Sequence, residues 1–98
     1  MSDERFTRST NLIESSKGFQ VQVLGRAGLL YREDDHVMSI SSEVQMPPAG
    51  MIVYTASISR WEPPYEREAL LDSRKGEIID NIQRAFEFTG VDVEFSPY

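Results

Sequence analysis

From residue 19 onward, apolar and polar side chains alternate with the two-residue period of a half-buried β-strand. The first alternating run, Phe19–Val23, is followed by a turn at residues 25–28, where two glycines can adopt positive φ angles. Further strand-forming runs follow at Leu29–Glu33, Val37–Ser41 and Met51–Thr55, and the last is the richest in β-branched and aromatic residues. Because the connections are too short to cross over to parallel neighbours, the pattern predicts an antiparallel meander of four to six strands.

Two further signals divide the second half of the chain. Pro47-Pro48-Ala49-Gly50 interrupts the alternation and predicts a break before the strand at Met51. Near the end of the chain, Val91–Phe95 alternates again and predicts a short closing strand. Between these two signals lies a segment with a different period.

This segment, from Ser73 to Thr89, has the period of an amphipathic α-helix. At about 100° per residue, its apolar side chains fall within an arc of about 120°, the width of a stripe that faces a core. The residues in this stripe are Ile78, Ile79, Ile82, Ala85 and Phe86. Asp72 or Ser73 is placed to cap the helix start, and Gly90 stands where a left-handed C-terminal cap belongs. The pattern therefore predicts an α+β fold in which one C-terminal helix packs on one face of the sheet.

Residues 1–18 differ from the rest of the chain in composition. They are rich in Ser, Thr, Asp, Glu and Arg, and after the first residue their sizeable apolar side chains are Phe6, Leu12 and Ile13. Burial of so little apolar surface does not offset the entropy lost on ordering. We therefore expect a mobile N-terminal tail over residues 1–18 and a single α+β domain over residues 19–98.

Charge narrows the classes of partner. The chain carries a formal net charge of −6 at pH 7, and because residues 1–18 are balanced, the excess lies in residues 19–98. Such a surface repels phosphate backbones, so nucleic-acid binding is not expected. The charge either speeds association with a basic protein partner or only maintains solubility.

Composition also bears on location. No apolar run approaches the roughly 18 residues that a membrane-spanning helix requires, so no membrane association is expected. The segment Met1–Arg5 lacks the basic-then-apolar pattern of a secretory signal. The chain contains no cysteine, which suits a reducing compartment and removes thiolate metal ligands. The expected location is the cytoplasm.

The chain contains one histidine, His36, and it directly follows Asp34 and Asp35. An enzyme can use such a group as a base, or as a metal ligand beside two carboxylates. Adjacent residues on a turn, however, point in different directions and rarely converge on one ion. The alternative interpretation is a solvated polar turn.

Other catalytic signals are weak. Glu66 and Glu68, and likewise Asp92 and Glu94, are spaced by two, which in a strand gives either an acid pair on one face or an exposed polar edge. The serines lie in no Gly-x-Ser-x-Gly context, and the glycines match neither a phosphate-binding loop nor a dinucleotide fingerprint. The sequence therefore predicts no catalytic residue, no metal and no cofactor.

The chain contains one tryptophan, which lies in Ser57–Glu66, between a predicted strand and the helix. Two consecutive prolines stiffen this segment and exclude it from a helix or a central strand. Trp, Tyr and Arg are enriched at binding hot spots, and rigidity lowers the entropy lost on binding. Trp61 either contacts a partner or folds back over the seam between sheet and helix, and both hold if it anchors an outward-facing loop. The candidate partner-binding residues are Arg60, Trp61, Glu62, Tyr65 and Glu66.

Four segments, taken in order, resemble immunity protein family 74 of bacterial polymorphic toxin systems. They are Gly28–Glu33, Ser42-Glu43, Ser57–Pro64 and Ile78–Phe86, and the resemblance covers residues 19–95. It implies a small cytoplasmic protein, encoded beside a toxin, that neutralises this toxin by direct binding. It implies neither catalysis nor a cofactor, and it assigns no binding residue.

Three hypotheses follow from the sequence. The preferred one is an antidote whose acidic surface and loop Arg60–Glu68 occlude a basic active site on a cognate toxin, such as a nuclease. The second is a metal- or ligand-dependent enzyme that uses Asp34, Asp35 and His36. The third is a homo-oligomeric module, for example a homodimer, that pairs exposed strand edges.

Overall fold

The computed structural model of the chain describes residues 3–45 and 50–97. Within these residues the chain forms eight β-strands, two short 3₁₀ helices and one α-helix. The strands are β1 (Phe6–Ser9), β2 (Leu12–Ser15), β3 (Phe19–Val23), β4 (Leu29–Glu33), β5 (His36–Ile40), β6 (Ser42–Val44), β7 (Met51–Tyr54) and β8 (Val93–Ser96). The α-helix, α1, is Asp72–Thr89, and the 3₁₀ helices are Gly25–Ala27 and Thr55–Ser57.

The strands form two sheets. The first sheet is an antiparallel meander in the order β1-β2-β3-β4-β5, with Val21 of β3 opposite Tyr31 of β4 and Tyr31 opposite Met38 of β5. The second sheet has the order β6-β7-β8, in which β7 and β8 run parallel, with Met51 opposite Val93. The parallel pairing is possible because the connection from β7 to β8 is long and contains α1. The predicted α+β fold, its antiparallel meander and its closing strand are confirmed.

The N-terminal segment differs from the expectation of a mobile tail over residues 1–18. Residues 6–9 and 12–15 form the hairpin β1–β2, which continues the first sheet beyond β3. Ile13 is buried at 4% exposure, and Phe6 packs against the same core. Few apolar side chains are enough to order this segment, because β2 also pairs its backbone with β3. This pairing satisfies backbone N–H and C=O groups that would otherwise need water.

The core lies between the first sheet and α1, and Met51 and Val53 of β7 in the second sheet also belong to it. The helix contributes Ile78, Ile82, Ala85 and Phe86 as buried residues, while Ile79 is partly buried, so the predicted apolar stripe is confirmed. Full burial of one such aliphatic or aromatic side chain contributes about 1.5–3 kcal/mol. Among the described residues, no helix is both long and apolar enough to cross a membrane.

The two ends of α1 differ in how well they were predicted. Gly90 adopts the left-handed conformation with φ 75°, and its N–H bonds to the carbonyls of Phe86 and Glu87, which confirms the C-terminal cap. The prediction of a side-chain cap from Asp72 or Ser73 is wrong. The helix begins at Asp72, so the capping position falls to Leu71, whose side chain has no acceptor. Asp72 still favours the helix start through its charge.

The strand break predicted at Pro47–Gly50 lies outside the described residues, except for Gly50. The turn predicted at residues 25–28 is present as the first 3₁₀ helix followed by Gly28. Gly28 has φ 98° and lies so close to the backbone carbonyl of Ile40 that a Cβ atom would collide with it. Glycine is thus required there both by conformation and by space.

Candidate partner-binding site

The candidate residues lie on residues 60–68, here called the Trp61 loop, which leads from the second 3₁₀ helix toward α1. Trp61 is buried, with 5% of its surface exposed. Its ring stacks on that of Tyr31 in β4, with the ring centroids 6.3 Å apart. The N–H of Glu62 donates to the carbonyl oxygen of Val37 in β5 at 2.7 Å. The start of the loop is therefore fixed to the core by a ring and to the edge of the first sheet by a backbone hydrogen bond.

A row of aromatic rings continues from Trp61 across the core to the C-terminal part of α1. Successive ring centroids are 5.4–6.3 Å apart, within the range in which aromatic pairs add stability beyond their burial. In order, the rings belong to Trp61, Tyr31, Phe19, Phe6 and Phe88. The loop is thus packed against the same core as the N-terminal hairpin and the helix.

The rest of the loop folds into two consecutive turns. The N–H of Tyr65 donates to the carbonyl oxygen of Glu62, and the N–H of Glu68 donates to that of Tyr65, each at 3.0 Å. The Pro63–Pro64 peptide bond, within the first turn, is cis. The two hydrogen bonds make the loop compact.

The outer half of the loop meets His36 at the start of β5. The His36 ring stacks on that of Tyr65, with centroids 3.7 Å apart and planes 16° apart, and it forms an edge contact with Trp61 in which the planes are 77° apart. Its Nε2 atom lies 2.9 Å from a carboxylate oxygen of Glu68, and its Nδ1 atom lies 3.1 Å from Oδ1 of Asp35. The Tyr65 hydroxyl donates to Oδ2 of Asp35. We call His36, Asp35, Tyr65 and Glu68 the His36 clasp.

Hydrogen bonds within the clasp shift the pKa values of its members. The bond to Glu68 is the main cause that raises the pKa of His36, and the nearby negative charges of Glu68 and Asp35 act in the same direction. The bond from Tyr65 is the main cause that lowers the pKa of Asp35. The same bond raises the pKa of the Tyr65 hydroxyl. All three shifts favour an imidazolium, a carboxylate and a protonated phenol, which is the combination that the contacts require.

The structure brings the five predicted partner-binding residues onto one loop but gives them different surroundings. Arg60, Glu62 and Glu66 are exposed. The Glu62 carboxylate accepts a hydrogen bond from the hydroxyl of Ser39 in β5 at 2.6 Å, which orients it. Trp61 is buried and Tyr65 is half-buried against His36. Three of the five side chains therefore present charge to solvent, and the two aromatic ones hold the loop from inside.

Sequence reasoning missed the residues that hold the loop from the sheet. His36 and Glu68 are 32 positions apart, and Ser39 and Glu62 are 23 apart, so no local pattern could pair them. The one available signal was that a histidine follows two aspartates just before a predicted strand, while three glutamates follow the tryptophan within residues 62–68. On its own this signal predicts a polar turn or a metal site.

The structure separates Asp34 from the contact between Asp35 and His36. Asp34 is exposed in the turn between β4 and β5, with φ 53°. Asp35 and His36 contact each other within the clasp, where both ring nitrogens of His36 already face carboxylates. Across residues 3–45 and 50–97, no group of three or more His, Asp or Glu side chains is arranged to hold a metal ion.

Behind the loop, Tyr31 joins the sheet to the helix. Its buried hydroxyl donates to Oε1 of Glu33 and accepts from the side-chain amide of Asn81 in α1, both at 2.8 Å. Burial raises the pKa of Tyr31 to about 12, so this hydroxyl stays protonated at any physiological pH. The other oxygen of Glu33 pairs with Arg74 in the first turns of α1. The polar groups behind Trp61 are therefore paired with one another.

The comparisons with known proteins give one match. The model of a family described as Immunity protein 74 matches residues 20–96, a span that includes the Trp61 loop, the clasp and α1 and omits the hairpin β1–β2. All four segments on which the sequence resemblance rests lie within this span. The comparisons with curated proteins and with solved structures give no significant match.

Proposed function

The chain belongs to the Immunity protein 74 family, and from this premise we propose that it binds and neutralises a cognate toxin of a bacterial polymorphic toxin system in the cytoplasm. An immunity protein has a toxin as its partner, so the open questions are which surface of this chain binds and what that surface recognises. Immunity proteins are not normally catalytic, and the proposal requires binding alone.

The observation that supports the Trp61 loop as the binding surface is its combination of exposed charges with an internally fixed backbone. Arg60, Glu62 and Glu66 are exposed, while Trp61 is buried beneath them. A loop held in one conformation before binding loses less entropy when it binds. Charged side chains at fixed positions also give specificity, because a wrong partner leaves them unpaired.

The net charge of −6 favours a basic surface on the toxin as the target. A nuclease is one class of toxin whose active site is basic, because it must bind a phosphate backbone. The loop would occlude such a site by presenting carboxylates where the phosphates bind. We therefore propose that the cognate toxin carries a basic active site and that the loop covers it.

Co-expression with the toxin encoded beside this gene tests the proposal. We expect bacteria that express the toxin to survive when this protein is present and to die when it is absent. The purified pair is expected to form a stable complex, which calorimetry measures as Kd. A toxin that kills equally in both strains and forms no complex contradicts the proposed function.

Charge reversal tests the proposed surface. Replacing Glu62→Lys or Glu66→Lys is expected to raise Kd by about tenfold or more, the effect of losing a hot-spot contact of more than about 1.4 kcal/mol. Glu94→Lys changes an exposed carboxylate in β8 of the second sheet and serves as the matched control, with Kd expected within about twofold of the original. If the two loop variants bind as tightly as the control, the toxin binds elsewhere on the protein.

A further inference from the structure

Both ring nitrogens of His36 face carboxylate oxygens, Nε2 that of Glu68 and Nδ1 that of Asp35. A neutral imidazole carries one N–H, so in the neutral form one of these two contacts would set a lone pair against a carboxylate. The imidazolium carries two N–H groups and can donate to both. The geometry on its own therefore requires the charged form of His36.

We propose that His36 is a positioning residue for the Trp61 loop: as an imidazolium it clasps Glu68 and Tyr65 to the turn before β5, and loss of its proton releases the outer half of the loop. The clasp rests on contacts within this chain alone. Its consequence for toxin binding rests on the proposed function, because it fixes the segment that carries Glu66.

The anchors at the two ends of the loop are of different kinds. Near its start, Trp61 is buried in the core and the N–H of Glu62 is bonded to Val37, and neither contact involves a titratable group near neutral pH. Near its end, three contacts tie the loop to the turn before β5 and to the first sheet: the stacking of Tyr65 on His36, the ion pair of His36 with Glu68, and the hydrogen bond from the Tyr65 hydroxyl to Asp35. The first two depend on His36, whereas the third remains after proton loss and limits how far the loop opens. Proton loss should therefore loosen residues 65–68 and leave residues 61–62 in place.

The charged groups around His36 agree with this assignment. Asp35 and Glu68 contact it directly, and Tyr65 covers one face of its ring. Glu33, Asp34 and Arg74 line the cleft of about 170 Å³ beside it. Arg74, the cation that lines this cleft, is paired with Glu33 and with Glu77. The net field at His36 is negative and favours the imidazolium.

The pH window follows from the directions of two pKa shifts. The pKa of His36 is raised in the folded protein, so its contribution to loop closure is complete below its unfolded value of about 6.5 and is lost as the pH rises through the folded value. The pKa of Asp35 is lowered, so its contribution is present above about 3.9 and is lost as the pH falls through its folded value. The loop is therefore most firmly closed between these limits and opens toward alkaline pH.

The protein has a built-in probe for the test, because Trp61 is its one tryptophan and lies in edge contact with His36 at a centroid distance of 5.1 Å. A charged imidazolium next to an indole changes the indole emission, so a pH titration of the fluorescence reports the protonation of His36. We expect a midpoint above about 6.5 in the original protein. Glu68→Gln should shift the midpoint down, and His36→Gln should abolish the transition.

Amide hydrogen exchange measured by NMR on the same three proteins tests the loop itself. Between pH 6 and pH 8, the protection factors of the Tyr65 and Glu68 amides should fall by about two- to fivefold, the range for loss of a partly exposed ion pair. The Glu62 amide serves as the internal control and should keep its protection factor. In His36→Gln the protection factors of the Tyr65 and Glu68 amides should be as low at pH 6 as at pH 8, and equal to those of the original protein at pH 8. Protection that is equal in the original protein and His36→Gln at pH 6 overturns the clasp, as does a fluorescence midpoint that Glu68→Gln leaves unchanged.

Binding measurements with the toxin use the same variants. The quantity to compare is the Kd of the original protein divided by the Kd of His36→Gln at the same pH. This ratio should rise by about two- to fivefold between pH 6 and pH 8, together with the loss of amide protection. A Kd ratio that stays constant while the amides lose protection overturns the positioning role in binding. A toxin that does not bind at any pH overturns the proposed function, whereas the fluorescence and exchange results still decide the clasp.

Discussion

Gly28 shows how strongly a single position depends on residue type in this fold. It follows the first 3₁₀ helix with φ 98° and ψ −147°, a conformation that side-chain-bearing residues rarely adopt. Its backbone also lies against the carbonyl of Ile40, at the end of the neighbouring strand β5. A side chain here must therefore be accommodated by moving backbone atoms, which are the least adaptable part of a sheet.

We predict that Gly28→Ala lowers the free energy of unfolding by about 2–4 kcal/mol, from the backbone strain together with the collision. Gly76→Ala is the matched control, because Gly76 lies in α1 with open space around its Cβ position. Alanine there should raise the free energy of unfolding by about 0.5–1 kcal/mol. Urea denaturation of both variants gives the two values, and a Gly28→Ala protein as stable as the original would contradict the close approach to Ile40.

At the scale of elements, the hairpin β1–β2 depends on contacts that no single segment of sequence reveals. Its strands pair Arg8 with Ile13, and Ile13 in turn lies opposite Val21 of β3. The buried Ile13 therefore ties the hairpin to the meander through both its backbone and its side chain. The hairpin lies outside the span that matches the family model, which begins at residue 20.

Substitution within this hairpin tests whether it is part of the folded core. We predict that Ile13→Ala lowers the free energy of unfolding by about 2–4 kcal/mol, the usual cost of truncating a buried isoleucine. Thr7→Ala changes an exposed position of β1 and should stay within about 0.5 kcal/mol of the original. Equal stability of the two variants in urea denaturation would mean that the segment behaves as the tail expected from composition.

The helix and the central strands were predictable because their signals are local. The stripe that includes Ile78, Ile82 and Phe86 is determined by the helical period alone, and the alternation in Phe19–Val23 and Leu29–Glu33 specifies which side chains enter the core. The two-sheet arrangement was not predictable, because it depends on β8 returning beside β7 after a helical connection. Pairing between distant segments is decided by the packing of the whole chain.

The same limit applies to the candidate site. Rigidity of the Trp61 loop and the anchoring role of its tryptophan followed from the two prolines and from the size of the indole. The contact of His36 with Glu68 did not, since it joins a strand to a loop 32 residues away. A histidine beside two aspartates has several common interpretations, and only the position of the loop selects one of them.

At the scale of the whole molecule, the negative charge belongs to residues 19–98, which contain the loop and the helix. Charges that are spread over a surface act at a distance and speed the encounter with an oppositely charged partner. Contacts at the interface act after the encounter and mainly set the dissociation rate. Salt separates the two effects, because the Debye length falls from about 30 Å at 0.01 M to about 3 Å at 1 M ionic strength.

We predict that the association rate with a basic toxin falls by about tenfold or more as ionic strength rises over this range, while the dissociation rate changes much less. Glu66→Lys and Glu94→Lys each replace one negative by one positive charge, so each changes the net charge from −6 to −4. At low salt both variants should associate more slowly, and Glu66→Lys should be the slower because its charge lies on the proposed binding surface. At 1 M salt the association rates of the two variants should converge, while Glu66→Lys keeps the faster dissociation in stopped-flow measurements. If the two variants associate at equal rates at low salt, the net charge alone steers the encounter and the loop does not face the toxin. If the association rate of the original protein does not depend on salt, the target surface is not basic.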